Sequence, residues 1–172
     1  GHVAADISYA VVIGNNAGYQ LTGTADTAPD NVVLIGYRAG RLFTSGSGNV
    51  VVGDNAFYSS GARQYNTVMG SGAMYDATTA SKNVSIGYQT LANLTTGDSN
   101  VAIGYQAADA LTTGFKNVAI GDAALSSDDV GAGHIAIGGN ALVTQNFASV
   151  NNEFEANISI GNKSSHNNLP GN

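Results

Sequence analysis

The sequence predicts an all-β protein, a solenoid of about nine stacked parallel coils of 17 residues each. Three observations carry that prediction. A short motif, stated most fully as Asn100-Val101-Ala102-Ile103-Gly104-Tyr105-Gln106-Ala107, recurs along the whole chain. Its glycine falls at Gly14, Gly36, Gly53, Gly70, Gly87, Gly104, Gly121, Gly138 and Gly161, so the intervals are 22, then 17 six times, then 23. A fixed period of this length marks an architecture in which each unit stacks on its neighbours. Within the motif, large β-branched residues flank a smaller one, as in Val101-Ala102-Ile103, Val118-Ala119-Ile120 and Ile135-Ala136-Ile137. Alternation with β-branched residues is the signal of a strand.

The elements follow in order. Residues 1–10 are an entry segment, 11–161 the coils and 162–172 an irregular tail, all within one repeat domain spanning 1–172. Gly1-His2 reads as an expression scar on a piece cut from a longer protein. Each coil opens with the strand, whose large residues are Val50, Val52, Val84, Ile86, Val101, Ile103, Val118, Ile120, Ile135 and Ile137. Small residues between them suit the inside of a narrow coil, and the large ones then face another surface. The reverse assignment is also compatible with the pattern. A glycine bend follows (Gly36, Gly53, Gly70, Gly87, Gly104, Gly121, Gly138), then a second short extended piece carrying alanine and a large apolar residue, such as Ala56-Phe57 or Ala124-Leu125. A polar turn closes the coil, as in Thr95-Thr96-Gly97 and Thr112-Thr113-Gly114, where glycine is expected to supply a positive φ. Nine coils at ~4.8 Å per strand give a rod roughly 40 Å tall. The two irregular intervals place insertions at Tyr19 to Asp30 and Gln145 to Ala156.

Composition narrows the function classes. Charged residues make up 10% of the chain, against roughly 25% in ordinary globular proteins. Low charge favours a chain that hides much of its surface against copies of itself. The net charge is -6 and the six Lys and Arg are scattered, so nucleic acid and anionic membranes are poor partners. There is no cysteine for a disulfide or thiolate site, and no apolar run long enough for a membrane-spanning helix. The sequons Asn83-Val84-Ser85 and Asn157-Ile158-Ser159 fall inside the core motif, where a glycan would not fit, pointing to a non-glycosylating source.

Several residue columns invite a functional reading. Asn49, Asn66, Asn83, Asn100 and Asn117 precede successive motifs, and stacking would make them an amide ladder. His134 interrupts that column, either as a simple substitution in a turn or, if three chains meet, as part of a ring that could hold an ion. Asp128-Asp129 reads as a solvated corner. Tyr19, Tyr37, Tyr88, Tyr105 and Phe147 form a candidate ligand surface; Tyr88 and Tyr105 are stack neighbours that could offer sugar-binding rings or simply pack over a coil edge. No catalytic triad, phosphate loop, zinc motif or marked carboxylate pair is recognisable, so neither an enzyme nor a metal or other cofactor is expected.

The unit Asn-Val-Ala-Ile-Gly-Tyr-Gln-Ala, with Thr-Thr-Gly between copies, resembles the repeats of phage tail fibres over about residues 11 to 161. It is also similar to the head repeats of YadA-like trimeric autotransporter adhesins, whose signature is Ser-Val-Ala-Ile-Gly. The 17-residue period is longer than the usual adhesin unit and favours the fibre-like relatives. The resemblance implies a left-handed parallel β-roll, three chains side by side with the apolar rows as trimer core, and an extracellular place on a bacterial surface or a virion tail fibre. The expected function is a structural or adhesive segment that spaces a receptor-binding tip or itself binds a cell surface. The alternative is a direct glycan- or protein-binding module using the inserted loops, and a β-solenoid enzyme is a remote third.

Overall fold

The computed structural model describes residues 9–21, 31–59, 61–143 and 156–164. It is all-β, with no helix among the described residues. One strand from each repeat joins a single parallel sheet. In sheet order these are β1 (Val11–Ile13), β2 (Val33–Ile35), β4 (Val50–Val52), β6 (Thr67–Met69), β7 (Val84–Ile86), β8 (Val101–Ile103), β9 (Val118–Ile120), β10 (Ile135–Ile137) and β11 (Ile158–Ile160). The register sets each motif on the next, as in Val101↔Val118, Ala102↔Ala119 and Ile103↔Ile120. The result is a β-solenoid, with about six turns between Gly36 and Gly138. The chain from β1 to β2 and from β10 to β11 passes through residues outside those described, which include most of both insertions.

Alternation decides which side of each strand is inside. Leu34, Val51, Val68, Ser85, Ala102, Ala119 and Ala136 are buried, whereas their flanking residues are exposed or half-buried. Of the two assignments the pattern allowed, the small-inside one is adopted. The core is completed by the alanine column (Ala56, Ala73, Ala107, Ala124), a bulky column (Phe57, Met74, Leu91, Leu125) and a third from the far wall (Leu94, Leu111). Where Ser85 replaces alanine, Thr90 faces it, and their hydroxyl oxygens lie 2.6 Å apart, so neither is left as an unpaired buried polar group.

The piece after the glycine is not the second strand the sequence suggested. Ala56 N–H reaches back to the Gly53 carbonyl, closing a turn in which Asn55 has φ +51°. Two residues later Phe57 has φ +55°, and the same pair of left-handed positions recurs as Gln89 and Leu91. Such angles are unusual for bulky side chains. They are held by hydrogen bonds between coils: Asn55 N–H donates to the Tyr37 carbonyl and Phe57 N–H to that of Ala73, each at 2.9 Å. Among the described residues, extended pairing on the far walls is limited to β3 (Phe43–Ser45) with β5 (Gly61–Ala62) and a bridge between Phe115 and Ala132.

The polar-turn glycines also need a different explanation. Gly46, in the corresponding turn Thr44-Ser45-Gly46, has φ +115°, but Gly97 and Gly114 are not in the left-handed region. Their requirement is space: a Cβ on Gly97 would stand 1.9 Å from the Gly114 carbonyl oxygen and 2.7 Å from Leu94 Cδ1.

Candidate functional site

The outward side of the nine-stranded sheet is the most distinctive surface. Val50, Val52, Val84, Ile86, Val101, Ile103, Val118, Ile120, Ile135 and Ile137 all lie on it in two columns, continued by Val33, Ile35, Thr67 and Met69. Most are half-buried, because residues above and below cover their flanks, and the tips remain open. Val50 and Met69 are 38% and 44% exposed, and Ile158 on an end strand reaches 70%. A continuous apolar strip roughly 40 Å long, nine strands at ~4.8 Å, exceeds the scattered apolar side chains of an ordinary surface.

The glycines at the strand ends, Gly36, Gly53, Gly70, Gly87, Gly104, Gly121 and Gly138, form one column with φ between +125° and +147°. Each approaches the next so closely that a Cβ would meet its backbone; at Gly104 the Gly121 carbonyl oxygen would be 2.4 Å away. These residues set the coil-to-coil contact beside the apolar strip.

At the opposite end of the strands, one residue before each begins, runs the asparagine ladder. The side-chain oxygen of each residue accepts both the backbone N–H and the Nδ2–H of the asparagine one coil on, at 2.8–3.2 Å across Asn49, Asn66, Asn83, Asn100 and Asn117. Each Nδ2 also donates to a carbonyl 14 residues ahead, as Asn100 does to Gly114 at 2.9 Å. A parallel ladder runs along the far wall, where Thr78, Thr95 and Thr112 donate to the carbonyls of Thr95, Thr112 and Asp129.

His134 stays in the asparagine column. Its backbone N–H donates to Asn117 Oδ1 at 2.9 Å, and its Nδ1 accepts the Asn157 N–H at 3.1 Å. The ring is buried within one coil, 1% exposed, so a ring of three copies around an external axis is excluded by its position. Its Nε2 lies 3.3 Å from Asp128 Oδ2. Asp128 is fully buried and not the solvated corner expected; only Asp129 is partly open. The Asp128 Oδ1 accepts N–H groups of Gly131 at 2.9 Å and Val130 at 3.3 Å. Burial raises the Asp128 carboxyl above its ordinary range, against the lowering effects of the Gly131 N–H, His134 and the Val130 N–H, with Asp129 adding to the rise.

Six of the eight tyrosines divide between two edges, and Tyr9 and Tyr65 lie elsewhere. Tyr37, Tyr88 and Tyr105 share the column just past the glycine with Asp54, Ser71 and Asp122. Tyr88 and Tyr105 are stacked, centroids 5.3 Å apart and planes 13° from parallel, and are 46% and 52% exposed. Beside them Gln106 Nε2 donates to Gln89 Oε1 at 3.1 Å. The Arg38 guanidinium covers the Tyr37 ring at 4.6 Å. Tyr19 belongs to a second column, where Arg41 lies over its ring at 5.2 Å and donates to the Tyr58 hydroxyl at 2.9 Å. Tyr58 stacks on Tyr75 at 4.9 Å. Phe147 is outside the described residues. Arg41, Tyr58 and Tyr75 were not singled out from sequence, although the 17-residue step from Tyr58 to Tyr75 gives their pairing away.

Arg63 is a further buried group that sequence reading passed over. Its guanidinium lies 3.7 Å from the Phe57 ring centroid, and it donates to the carbonyls of Ala77, at 2.8 Å, and Ser59. Ala77, whose carbonyl it reaches, stands in the column where other coils carry Leu94 and Leu111, while Arg63 itself shares a column with Ala80 and Gly97. Among the described residues there is no group of three or more His, Cys, Asp or Glu that could hold a metal, and no helix able to cross a membrane. The most prominent surface feature is thus an apolar strip with Tyr37, Tyr88 and Tyr105 in the column just past its glycines. No family model, curated protein or solved structure matches the chain.

Proposed function

We propose that the chain is a rigid segment of a homotrimeric extracellular fibre, on a bacterial surface or a virion tail. Its nine coils would wind as a left-handed β-roll, with three copies meeting along the aliphatic faces. The observation that carries this reading is the outward strip of Val and Ile, varied at Thr67 and Met69, on a low-charge chain. Association would remove that strip from water, worth roughly 25 cal/mol per Å² of apolar surface covered. Cyclic assembly also uses one patch repeatedly, which suits a feature present on every coil. The segment would space a receptor-binding tip and add to attachment itself.

Light scattering tests the assembly. Three chains of 17.3 kDa give a particle of about 52 kDa. A stable particle of 17.3 kDa in dilute buffer would end the proposal.

A second reading, direct binding of a glycan or protein, is favoured by the exposed Tyr88–Tyr105 stack. Threefold display would multiply weak contacts by avidity. Cutting back both insertions separates loop binding from binding along the rod: attachment that survives in an intact trimer removes the loops as the contact.

A further inference from the structure

Two side-chain ladders on the exposed edge stop at the same coil. In the column after the glycine, the order is Asp54, Ser71, Tyr88, Tyr105; in the next it is Asn55, Gly72, Gln89, Gln106. The register is fixed by backbone hydrogen bonds, Gly72 N–H to the Asp54 carbonyl at 2.9 Å and Gln89 N–H to the Ser71 carbonyl at 3.0 Å. The coil carrying Ser71 and Gly72 therefore presents almost no side chain between two coils that do.

The gap has unlike walls. On one side Tyr105 covers one face of Tyr88, leaving the other turned toward Ser71. Gln106 Nε2 donates to Gln89 Oε1, which directs the Gln89 amide donors away from Gln106, toward the level where glycine ends the ladder. A Cβ on Gly72 would touch Gln89 Cγ at 3.3 Å, so the glutamine stem lies over this floor. On the other side Asn55 Nδ2 donates to Asp54 Oδ1 at 2.9 Å, holding a carboxylate and an amide oxygen together as acceptors. The walls are two coils apart, roughly 9.6 Å at ~4.8 Å per coil, which leaves room for one saturated ring beside the aromatic.

We propose that this notch is a pyranose-binding subsite, in which one sugar ring lays its C–H face on Tyr88 and gives its hydroxyl protons to Asp54 and Asn55. Gln89 donates to a hydroxyl or ring oxygen. The inference rests on the adhesive part of the proposed function and gives it a ligand class. An aromatic ring fits the chemistry less well, because it would leave the Asp54 and Asn55 acceptors unpaired. A cation would set its charge beside the Gln89 donors. The other tyrosines of this column are less suited: Arg38 already lies over Tyr37, and beside Tyr105 the next coil carries Asp122 and Ala123 in place of Ser71 and Gly72.

Saturation-transfer NMR on the full chain, with a panel of methyl pyranosides, tests the subsite. At least one pyranoside should receive saturation on the protons of one ring face. Tyr88→Ala should weaken it by roughly tenfold or more, the scale of a lost stacking contact. Gly72→Gln is the sharper variant. The same column position holds Gln89 and Gln106 at φ +52° and +50°, so glutamine suits the backbone, extends the ladder and fills the gap. Its melting temperature should match the wild type while the transfer disappears. Ser71→Tyr, which fills the gap from the other column, should do the same if Gly72→Gln unfolds. The subsite is overturned if no pyranoside receives saturation, if both filled variants bind as the wild type does, or if tetramethylammonium binds in the sugar's place. A trimer that binds no pyranoside removes the subsite alone, whereas a monomer by light scattering removes the fibre reading.

Discussion

His134 Nε2 lies 3.3 Å from Asp128 Oδ2 in a layer where the neighbouring repeats place asparagine and leucine. The histidine reproduces the asparagine with its two nitrogens: Nδ1 accepts the next coil's N–H, as Oδ1 does elsewhere, and Nε2 takes the donor's place. The carboxylate is the cost, since it replaces an apolar side chain inside the coil. Its folded-state titration is raised, chiefly by burial, so at pH values between the unfolded and folded titrations the folded chain holds a proton that the unfolded chain has released. Stability from Asp128 is therefore fully present at low pH and is lost as pH rises from the ordinary carboxylate range through the folded value. The double substitution Asp128→Leu with His134→Asn restores both columns. At neutral pH it should be more stable than the wild type by about 1–4 kcal/mol, the range seen when buried ion pairs give way to packed apolar groups. The gap should narrow on acidification in denaturant melts. A gap that widens would place the pH dependence on His134.

Asn100 is central to the amide ladder, and truncation removes more than one bond. In Asn100→Ala the Asn117 N–H loses its acceptor, the Gly114 carbonyl loses a donor, and Asn83 Oδ1 keeps only the backbone N–H of residue 100. Each buried group left unsatisfied costs about 1–3 kcal/mol. The expected loss is about 2–5 kcal/mol by chemical denaturation, with Asn117→His milder, since the histidine at 134 already fits this column. A loss below about 0.5 kcal/mol would mean that water replaces the amide.

The main period, the strand of each repeat and the amide ladder were legible because each rests on a local rule: β-branched alternation, a glycine bend, stackable amides. The second wall was not. Phe57 and Leu91 have φ of +55° and +49°, and residue preference alone would never place them there. Hydrogen bonds from the adjacent coils hold them, a constraint that exists only once the coils are stacked. Asp128 was misread for a related reason. Next to Asp129 in a turn it looks solvated, whereas counting 17 residues back sets it on Leu111, in a core column. Tyr58, Tyr75 and Arg41 were equally visible to that count. The aliphatic residues were legible as rows, but their side of the wall depended on how narrow the coil is.

Gly104 has two independent reasons to be glycine, its φ of +135° and the Gly121 carbonyl oxygen 2.4 Å from any added Cβ. Left-handed strain costs about 1–3 kcal/mol by itself, and here the clash forces the coils apart. Gly104→Ala should lower stability by about 3 kcal/mol or more, and Gly104→Val further. Gly139, where a Cβ would meet nothing closer than 3.8 Å, is the control and should accept alanine with little change. Equal melting temperatures for Gly104→Ala and the wild type would show that the coils can separate freely.

Arg63 is buried beneath Phe43 and Phe57, and burial lowers its titration to about 9. At neutral pH it is protonated in folded and unfolded chains alike, so its charge is a standing burial cost. Above about pH 9 the folded chain releases a proton that the unfolded chain keeps, and stability from this group rises with pH. Arg63→Met keeps most of the stem and should lack this alkaline gain. The wild type should thus gain on Arg63→Met between about pH 8 and pH 11, and a flat difference would refute the assignment. Arg63→Ala leaves a cavity under the two rings and should cost about 2–5 kcal/mol at neutral pH, and more as the pH rises past about 9.

Ile103 separates the fold from its assembly. It lies on the outward column, half-buried by Ile86 and Ile120, with no contribution to the inside of the coil. In an isolated chain Ile103→Asp would expose its carboxylate to water and cost little. In a trimer joined along the strip, three carboxylates would enter one dry layer, and each unpaired charge would cost several kcal/mol. Ala102→Asp, on the neighbouring inward column, should instead unfold the coil in either state, since Ala102 is fully buried. The expected pattern is therefore a folded Ile103→Asp chain with unchanged β circular dichroism and a mass fallen from about 52 kDa to 17.3 kDa. A variant that keeps the larger mass would move the interface off this strip, whatever the oligomer.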